Sequence, residues 1–488
     1  MKTGWSKKFV VPPLGGLSAE PFLCSRLKAG LHTFACIILT MSCAVAEKPN
    51  VVVIMVDDLG AETLGCYGST SFSTPNLDRL ASQGARFENA YGTPSCSPSR
   101  AMIVSGLYSN RSGILERLGA GTPNCLPGHI PTFGDLFQEN GYKTGITGKW
   151  HIGDFDRYPE HPQSHGFAES FMWAKYYKGV DYSNYFNPGV IDHGELQVRK
   201  GEYGPNLFCD YILNFIEQNK EGPFLAYYPM VLVHKNFHNP PEKEGVKHFF
   251  PESAGDDNKK YALMVSYMDM LVGRILDKLD ALGLTDNTLV IFTADNGSPN
   301  AILSQLGDLT VRGGKLSLIE SGYRIPFIAR WPRKIPVGTR DQFMTLADVF
   351  PTLAGLTGLS MTADVNGMDL SHNFFGKPGE DRDYVYIAWE GGFYFVRDKR
   401  FRLHEDGKLY DIPVSSNGSR YSEKLSSITE HPEEAQRLQA KLDEFKKIQK
   451  TDESYTIIPF KGYKKWRAAN NPEHQAKTKK TKKNKVKK

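Results

Sequence analysis

The stretch NVVVIMVDDLG, residues 50–60, decides how the rest of the chain is read. Apolar residues run unbroken from Val51 to Val56, most of them β-branched, and then give way abruptly to Asp57 and Asp58. A strand with one face in water alternates apolar and polar residues. An unbroken run is the pattern of a strand covered on both faces, as in a parallel sheet. NTLVIFTADNG, residues 287–297, repeats it, with a β-branched run ending in Asp295 and Asn296.

Helices and strands alternate around these two runs. TPNLDRLASQG offers a helix with Thr74 as N-cap, Pro75 at the first helical position and Gly84 as the stop. Residues 132–140 read as a helix ended by Gly141, followed by a short strand into GKWHIG, 148–153. PFLAYYPMVLVH, 223–234, reads as a further buried strand, and 261–282 carry apolar residues at helical spacing. The expectation is an α/β fold: a large, mainly parallel mixed sheet flanked by helices. From about residue 384 short aromatic runs are broken by Gly-Gly, Asp-Lys and Asp-Gly turns, and 431–449 form a charged amphipathic helix. These predict a small C-terminal antiparallel sheet plus helix subdomain. The expected organisation is a signal peptide at 1–46, the main α/β domain at 47–384, the C-terminal subdomain at 385–455 and a basic, disordered tail at 456–488.

The chain has 488 residues, 40% of them hydrophobic, enough for a large core. Its leader carries Arg26 and Lys28, an apolar run through Leu31, Phe34, Ile37, Ile38 and Leu39, and a cleavage pattern at Ala44-Val45-Ala46. The run is short for a membrane span. Cys43 invites a lipid-anchor reading, but Thr40-Met41-Ser42 is a poor lead-in, so simple cleavage is preferred. The product is expected to be exported: periplasmic, secreted or on the cell surface. Cleavage leaves Cys66, Cys96, Cys125 and Cys209, too few for a disulfide scaffold, with room for one or two bridges. The net charge of +5 belongs to the tail, since the last twelve residues, KTKKTKKNKVKK, hold eight lysines. That block reads as a solubilising end or a contact for a polyanion. Neither a nucleic-acid partner nor a membrane span is expected.

Both acidic strand ends matter chemically. In open α/β sheets, sites lie outside the carboxyl ends of the strands. Adjacent carboxylates there repel and lose hydration, which a cation between them relieves. Asp57, Asp58, Asp295 and Asn296 offer only oxygen, so they suit a hard cation, Ca²⁺ or Mg²⁺, rather than zinc. Turn-forming or capping would explain either pair alone; two pairs at matching strand ends favour the metal. Asn296-Gly297-Ser298 is also a glycosylation sequon, but its place beside Asp295 argues for burial. Cys96 sits in PSCSPSRAMIVSG, 94–106, in a small polar turn ahead of an apolar segment. A soft metal would not share this oxygen set. A Cys–His nucleophile leaves Pro98 and Arg100 unexplained.

CSPSR at 96–100 matches the Cys-x-Pro-x-Arg signature of the type I, formylglycine-dependent sulfatases of the alkaline phosphatase superfamily. VDDLG at 56–60, GKWHIG at 148–153, ADNG at 294–297 and GGKLSLIESGYRIP at 313–326 match in the same order. The chain resembles this family over roughly 48–450. The resemblance implies that a maturation enzyme oxidises Cys96 to formylglycine, whose hydrate supplies the nucleophilic oxygen and a second hydroxyl through which sulfate is expelled. It implies a metal, usually Ca²⁺, on Asp57, Asp58, Asp295 and Asn296, with the oxidised Cys96 as a further ligand. It assigns Arg100 to the formylglycine hydrate and adds Lys149, His151, His234 and Lys315 to the site. His151 is the implied base for sulfate expulsion, and His234 or Lys315 the acid that protonates the departing alcohol. In many members proline closely follows the second histidine. Here HKNFHNPP intervenes, which makes His238 a rival to His234; His234 is preferred because it directly ends the apolar run.

The leading expectation is therefore an exported sulfatase acting on a sulfated carbohydrate or another sulfate ester. The rivals are a phosphonate monoesterase or phosphodiesterase of the same superfamily and a non-catalytic binder of sulfated glycans.

Overall fold

In the computed structural model, which describes residues 48–119, 124–241, 255–389, 393–414, 421–448 and 450–451, the opening run is a fully buried strand, Asn50–Val56. It pairs in parallel with Thr288–Ala294 on one side and Phe224–Pro229 on the other. Val56 lies opposite Ala294 and Met55 opposite Pro229, so these strands end together. That register brings Asp57 and Asp295 side by side, and the Asp58 amide donates to Asp295 Oδ1 from 237 positions away. Lys143–Gly148 and Glu169–Trp173 extend the parallel core. Strands paired mostly antiparallel, with Gly338–Thr345 parallel to Ala85–Tyr91, complete an eleven-stranded mixed sheet at its flanks. The signal peptide, its cleavage pattern, Cys43 and the lysine-rich tail lie outside the described residues.

Two groups of helices cover the central strands. Pro75–Ser82 packs with Asp256–Ala281, which also meets Gly204–Gln218; Cys96–Ser105, Phe133–Glu139 and Val349–Thr357 form the second group. Thr132 and Asp135 make the capping box that starts Phe133–Glu139. Thr74 precedes its helix as expected, but its hydroxyl accepts from the Gly65 amide instead of capping. The first-turn amides of Asn76 and Leu77 donate to the buried Asp269 carboxylate, 3.1 and 2.9 Å away. A distant acid thus satisfies donors that a local cap normally takes.

Two expectations are corrected. The apolar run 223–234 is a strand only over Phe224–Pro229. Pro229 has no amide proton to extend the ladder. Residues 230–233 are apolar because they are buried beneath the strand ends, and they pair there outside the regular strand. Cys96 is not in a turn either: it is the first residue of the helix Cys96–Ser105, and that helix is buried along its whole length. Cys66 and Cys96 form no disulfide. Among the described residues no helix is long and apolar enough to cross a membrane.

The C-terminal region builds the expected antiparallel sheet, with five strands from Val385–Trp389 to Lys424–Ser426, and the helix Pro432–Lys446. Buried charge joins it to the main sheet. Glu320 accepts from Arg397 Nη1 at 2.5 Å, Tyr91 Oη at 3.0 Å and Tyr323 Oη at 2.9 Å. Arg402 donates to Glu423 at 2.7 Å and to Tyr323 Oη at 2.7 Å. Removing one member of such a pair leaves an uncompensated buried charge. Arg397→Ala is therefore expected to cost about 3–5 kcal/mol in urea unfolding. Glu320→Gln combined with Arg397→Met should recover much of that loss, and a single-variant loss below about 1 kcal/mol would show that the pair does not hold the sheets together.

Candidate active site

The carboxyl ends of the three central strands meet in one charged cluster. Asp57 and Asp58 follow Val56 directly, and Asp58 turns out of the strand with a left-handed φ of 63°. Asp295 accepts from the Asp58 amide at 3.1 Å and from Arg100 Nε at 2.9 Å. Asn296 Nδ2 donates to Asp58 Oδ1 at 2.8 Å. Lys149 leaves its strand after Gly148, where φ is 115° and a Cβ would lie 2.1 Å from the Pro229 carbonyl oxygen. That close approach requires glycine. Lys149 Nζ then reaches Asp57 Oδ2 at 2.6 Å, and Lys315 Nζ reaches Asp58 Oδ1 at 2.5 Å.

Cys96 enters from the second helical layer. Its Sγ lies 3.2 Å from His151 Nδ1. His151 also has a left-handed φ, 58°, which aims its ring back at the helix start. His234 arrives by a route that no local pattern records. The Met230 amide donates to the Met55 carbonyl, the Asp57 amide to Leu232 and the Val233 amide to Asp57, so 230–233 zip onto the Asp57 turn. His234 Nε2 then stands 3.9 Å from Asp58 Oδ2, and its Nδ1 donates to the Lys235 carbonyl. Tyr185 Oη holds the His234 carbonyl at 2.5 Å.

His238 is the weaker rival. Its Nδ1 donates to the Asn236 carbonyl at 3.1 Å and its Nε2 accepts from Tyr203 Oη at 2.9 Å, so both nitrogens are engaged. Arg100 Nε donates to Asp295 and its Nη1 to the Lys149 carbonyl at 2.7 Å, while its Nη2 pairs with Asp295 at 2.7 Å. These contacts orient the acids and the lysine backbone.

The electrostatics follow from burial and these partners. Burial would raise the Asp57 and Asp58 carboxyls, yet both are held below the ordinary value, Asp57 chiefly by Lys149 and Asp58 chiefly by Lys315. Asp295 is pushed up by burial and by the charge on Asp57. Burial, then Lys149, Arg100 and Arg117, depress His151 well below its usual value. Burial and Lys315 bring His234 down to about 4. Both imidazoles are neutral near pH 7.

The cluster fits a hard cation. Asp57 Oδ1, Asp58 Oδ2 and Asn296 Oδ1 are buried without any hydrogen-bond partner. Buried carboxylate oxygens lacking partners are costly, and these three belong to residues expected to ligate. Ligand atoms of Asp57, Asp58 and His234 lie within 4.8 Å of one another. Asp295 is more fully engaged, by Arg100 and the Asp58 amide.

Several supporting residues carried no sequence signal. Tyr261 Oη donates to the Asp58 carbonyl at 2.9 Å, and the Gly60 amide donates to Ser298 Oγ at 3.0 Å. Ser298 in turn donates to the buried Glu62. Arg117 acts on His151 through its charge. Each is a single residue whose relevance arises from distant partners.

Known proteins resemble this chain over most of its length. The sulfatase family profile matches residues 49–359. The N-acetylgalactosamine-6-sulfatase of Canis lupus familiaris is 32% identical over 70% of this chain and 68% of its own length. The N-acetylgalactosamine-6-O-sulfatase of Bacteroides thetaiotaomicron is 31% identical over 70% of this chain and 79% of its own. The crystal structure of Ps i-CgsB in complex with k-i-k-neocarrahexaose superposes with a TM-score of 0.73 at 25% identity, covering 87% of this chain and 98% of that one. With the paired acids, the lysines and the cysteine–histidine contact in place, the chain belongs to the sulfatase family and is a sulfuric ester hydrolase.

Proposed function

We propose that this protein is an exported sulfatase that releases sulfate from a sulfated carbohydrate, using Cys96 matured to formylglycine and a Ca²⁺ ion on Asp57, Asp58, Asp295, Asn296 and the oxidised Cys96. The observation that carries the reading is the contact of Cys96 with neutral His151 beside three unpartnered buried oxygens. Ca²⁺ is favoured over Mg²⁺ because mixed carboxylate and amide oxygens in irregular positions suit its flexible coordination. The carbohydrate assignment rests on the names of the two relatives and on the oligosaccharide of the solved one. A maturation enzyme is the implied partner.

The cation and the formylglycine supply charge neutralisation and the attacking oxygen when present. The chain's own residues do the rest. Three cations, Arg100, Lys149 and Lys315, balance three carboxylates, so the pocket tolerates an anionic ester once a divalent ion is added. His151, kept neutral, accepts a proton from the group at position 96. His234 exposes Nε2 toward the site while Nδ1 is tied to the Lys235 carbonyl. A bound sulfate favours the protonated imidazole, which equips it to protonate the departing alcohol.

That role has a specific signature. A sugar alcohol is a poor leaving group and needs the proton, whereas nitrophenolate departs without it. His234→Ala should slow a sulfated sugar by about 10²-fold more than nitrophenyl sulfate. His238→Ala should show no such selectivity. Equal losses on both substrates in His234→Ala would remove it as the acid and leave Lys315. Parallel assays with phosphonate monoesters test the rival activity: faster turnover of those than of any sulfate ester would reverse the assignment.

A further inference from the structure

The acids, lysines and histidines account for the sulfate and for the leaving oxygen of a substrate, and none of them addresses the ring that oxygen belongs to. Leu316 stands at the rim of the site in a way that packing does not explain. It follows Lys315, whose Nζ is on Asp58 and whose amide donates to the Ser298 carbonyl at 3.0 Å. Its own amide donates to the Pro94 carbonyl at 2.9 Å, two residues before Cys96. The backbone is thus pinned between the segment that leads into the Cys96 helix and the end of the Asp295 strand.

Its φ is 64°, a left-handed conformation that favours glycine. The same turn uses glycine where space demands it. A Cβ on Gly313 would lie 2.2 Å from the Pro299 carbonyl oxygen, and one on Gly314 2.6 Å from the Gly322 amide. At 316 the chain instead carries a large apolar side chain that is 49% exposed. Ile319, three residues on, is 44% exposed. Burial within the chain does not offset the backbone strain at Leu316. Asp58 and His151, both site residues, are left-handed as well, as are Lys178, Asn187, His193 and Arg333 elsewhere in the described residues.

We propose that Leu316 determines specificity: its side chain packs on the C–H face of the pyranose that bears the sulfate. This rests on the carbohydrate reading above. The test compares kcat and KM of wild type, Leu316→Gly and Leu316→Met on the sulfated pyranose that wild type hydrolyses fastest, and on propyl sulfate, which has no ring. Thermal unfolding is followed in parallel. Leu316→Gly should keep or raise Tm, because strain is relieved, while KM for the sugar ester rises about tenfold more than KM for propyl sulfate. Leu316→Met should restore most of that difference. An unchanged ratio of the two KM values in Leu316→Gly overturns the proposal, whatever happens to Tm. A selective loss on nitrophenyl sulfate but not on the sugar overturns it too, by showing an aromatic alcohol on the rim. Wild type that hydrolyses nitrophenyl sulfate and no saccharide overturns the carbohydrate reading itself, a result separable from the others.

Discussion

Cys96→Ala is expected to lower sulfate release by about 10⁴-fold or more while leaving the fold in place, because it removes the proposed nucleophile. The peptide spanning Cys96 in active protein should lack the cysteine sulfur by mass spectrometry. The structure adds a condition. Cys96 is fully buried at the start of a buried helix. On the proposed reading, that burial bars a maturation enzyme from the folded chain, and conversion is expected to precede folding. Folded, unconverted protein mixed with the maturation enzyme should stay inactive, and the unfolded segment should be converted. A fully active preparation with an intact thiol would end the formylglycine reading.

The second large effect concerns the metal. In wild type, Ca²⁺ at a hundredfold excess over its Kd should stabilise the fold by about 2.7 kcal/mol, read as a rise in Tm that a chelator reverses. Asp58→Asn keeps the shape of the side chain and removes its charge. It should lose that Tm response and about 10²-fold or more in activity. Asp295→Ala is a poorer probe, because it strips Arg100 of its buried partner at 2.7 Å and should cost about 3–5 kcal/mol before any metal effect is seen. A Ca²⁺ response in Asp58→Asn equal to that of wild type would show that this carboxylate is not a ligand.

The physical contrast between these residues explains what could be read early. Asp57, Asp58, Asp295 and Asn296 are legible because each pair interrupts an unbroken apolar run, a local pattern, and parallel register then aligns the two ends. Lys149, His151, Lys315 and Cys96 were reached through motif order, not periodicity. His234 reaches the cluster by a route other than the strand end the apolar run implies. It does not end its strand, which stops at Pro229, yet the pairing of 230–233 with the Asp57 turn delivers it to Asp58.

By itself, the sequence determined the α/β class, the parallel centre of the sheet, the strand ends from which the acids emerge and the change of texture at the C-terminal sheet. These follow from apolar runs, caps and turns, whose causes lie within a few residues. Only the tertiary structure decided that Arg100 serves Asp295, that His238 is spent on Asn236 and Tyr203, that Asp269 caps a helix from 193 positions away and that Glu320 holds two sheets together. It also decided that Leu316 stands strained and exposed at the rim. Those roles are set by which partners satisfy a buried donor or charge, and such partners meet only when distant segments pack, so no period or spacing along the chain records them.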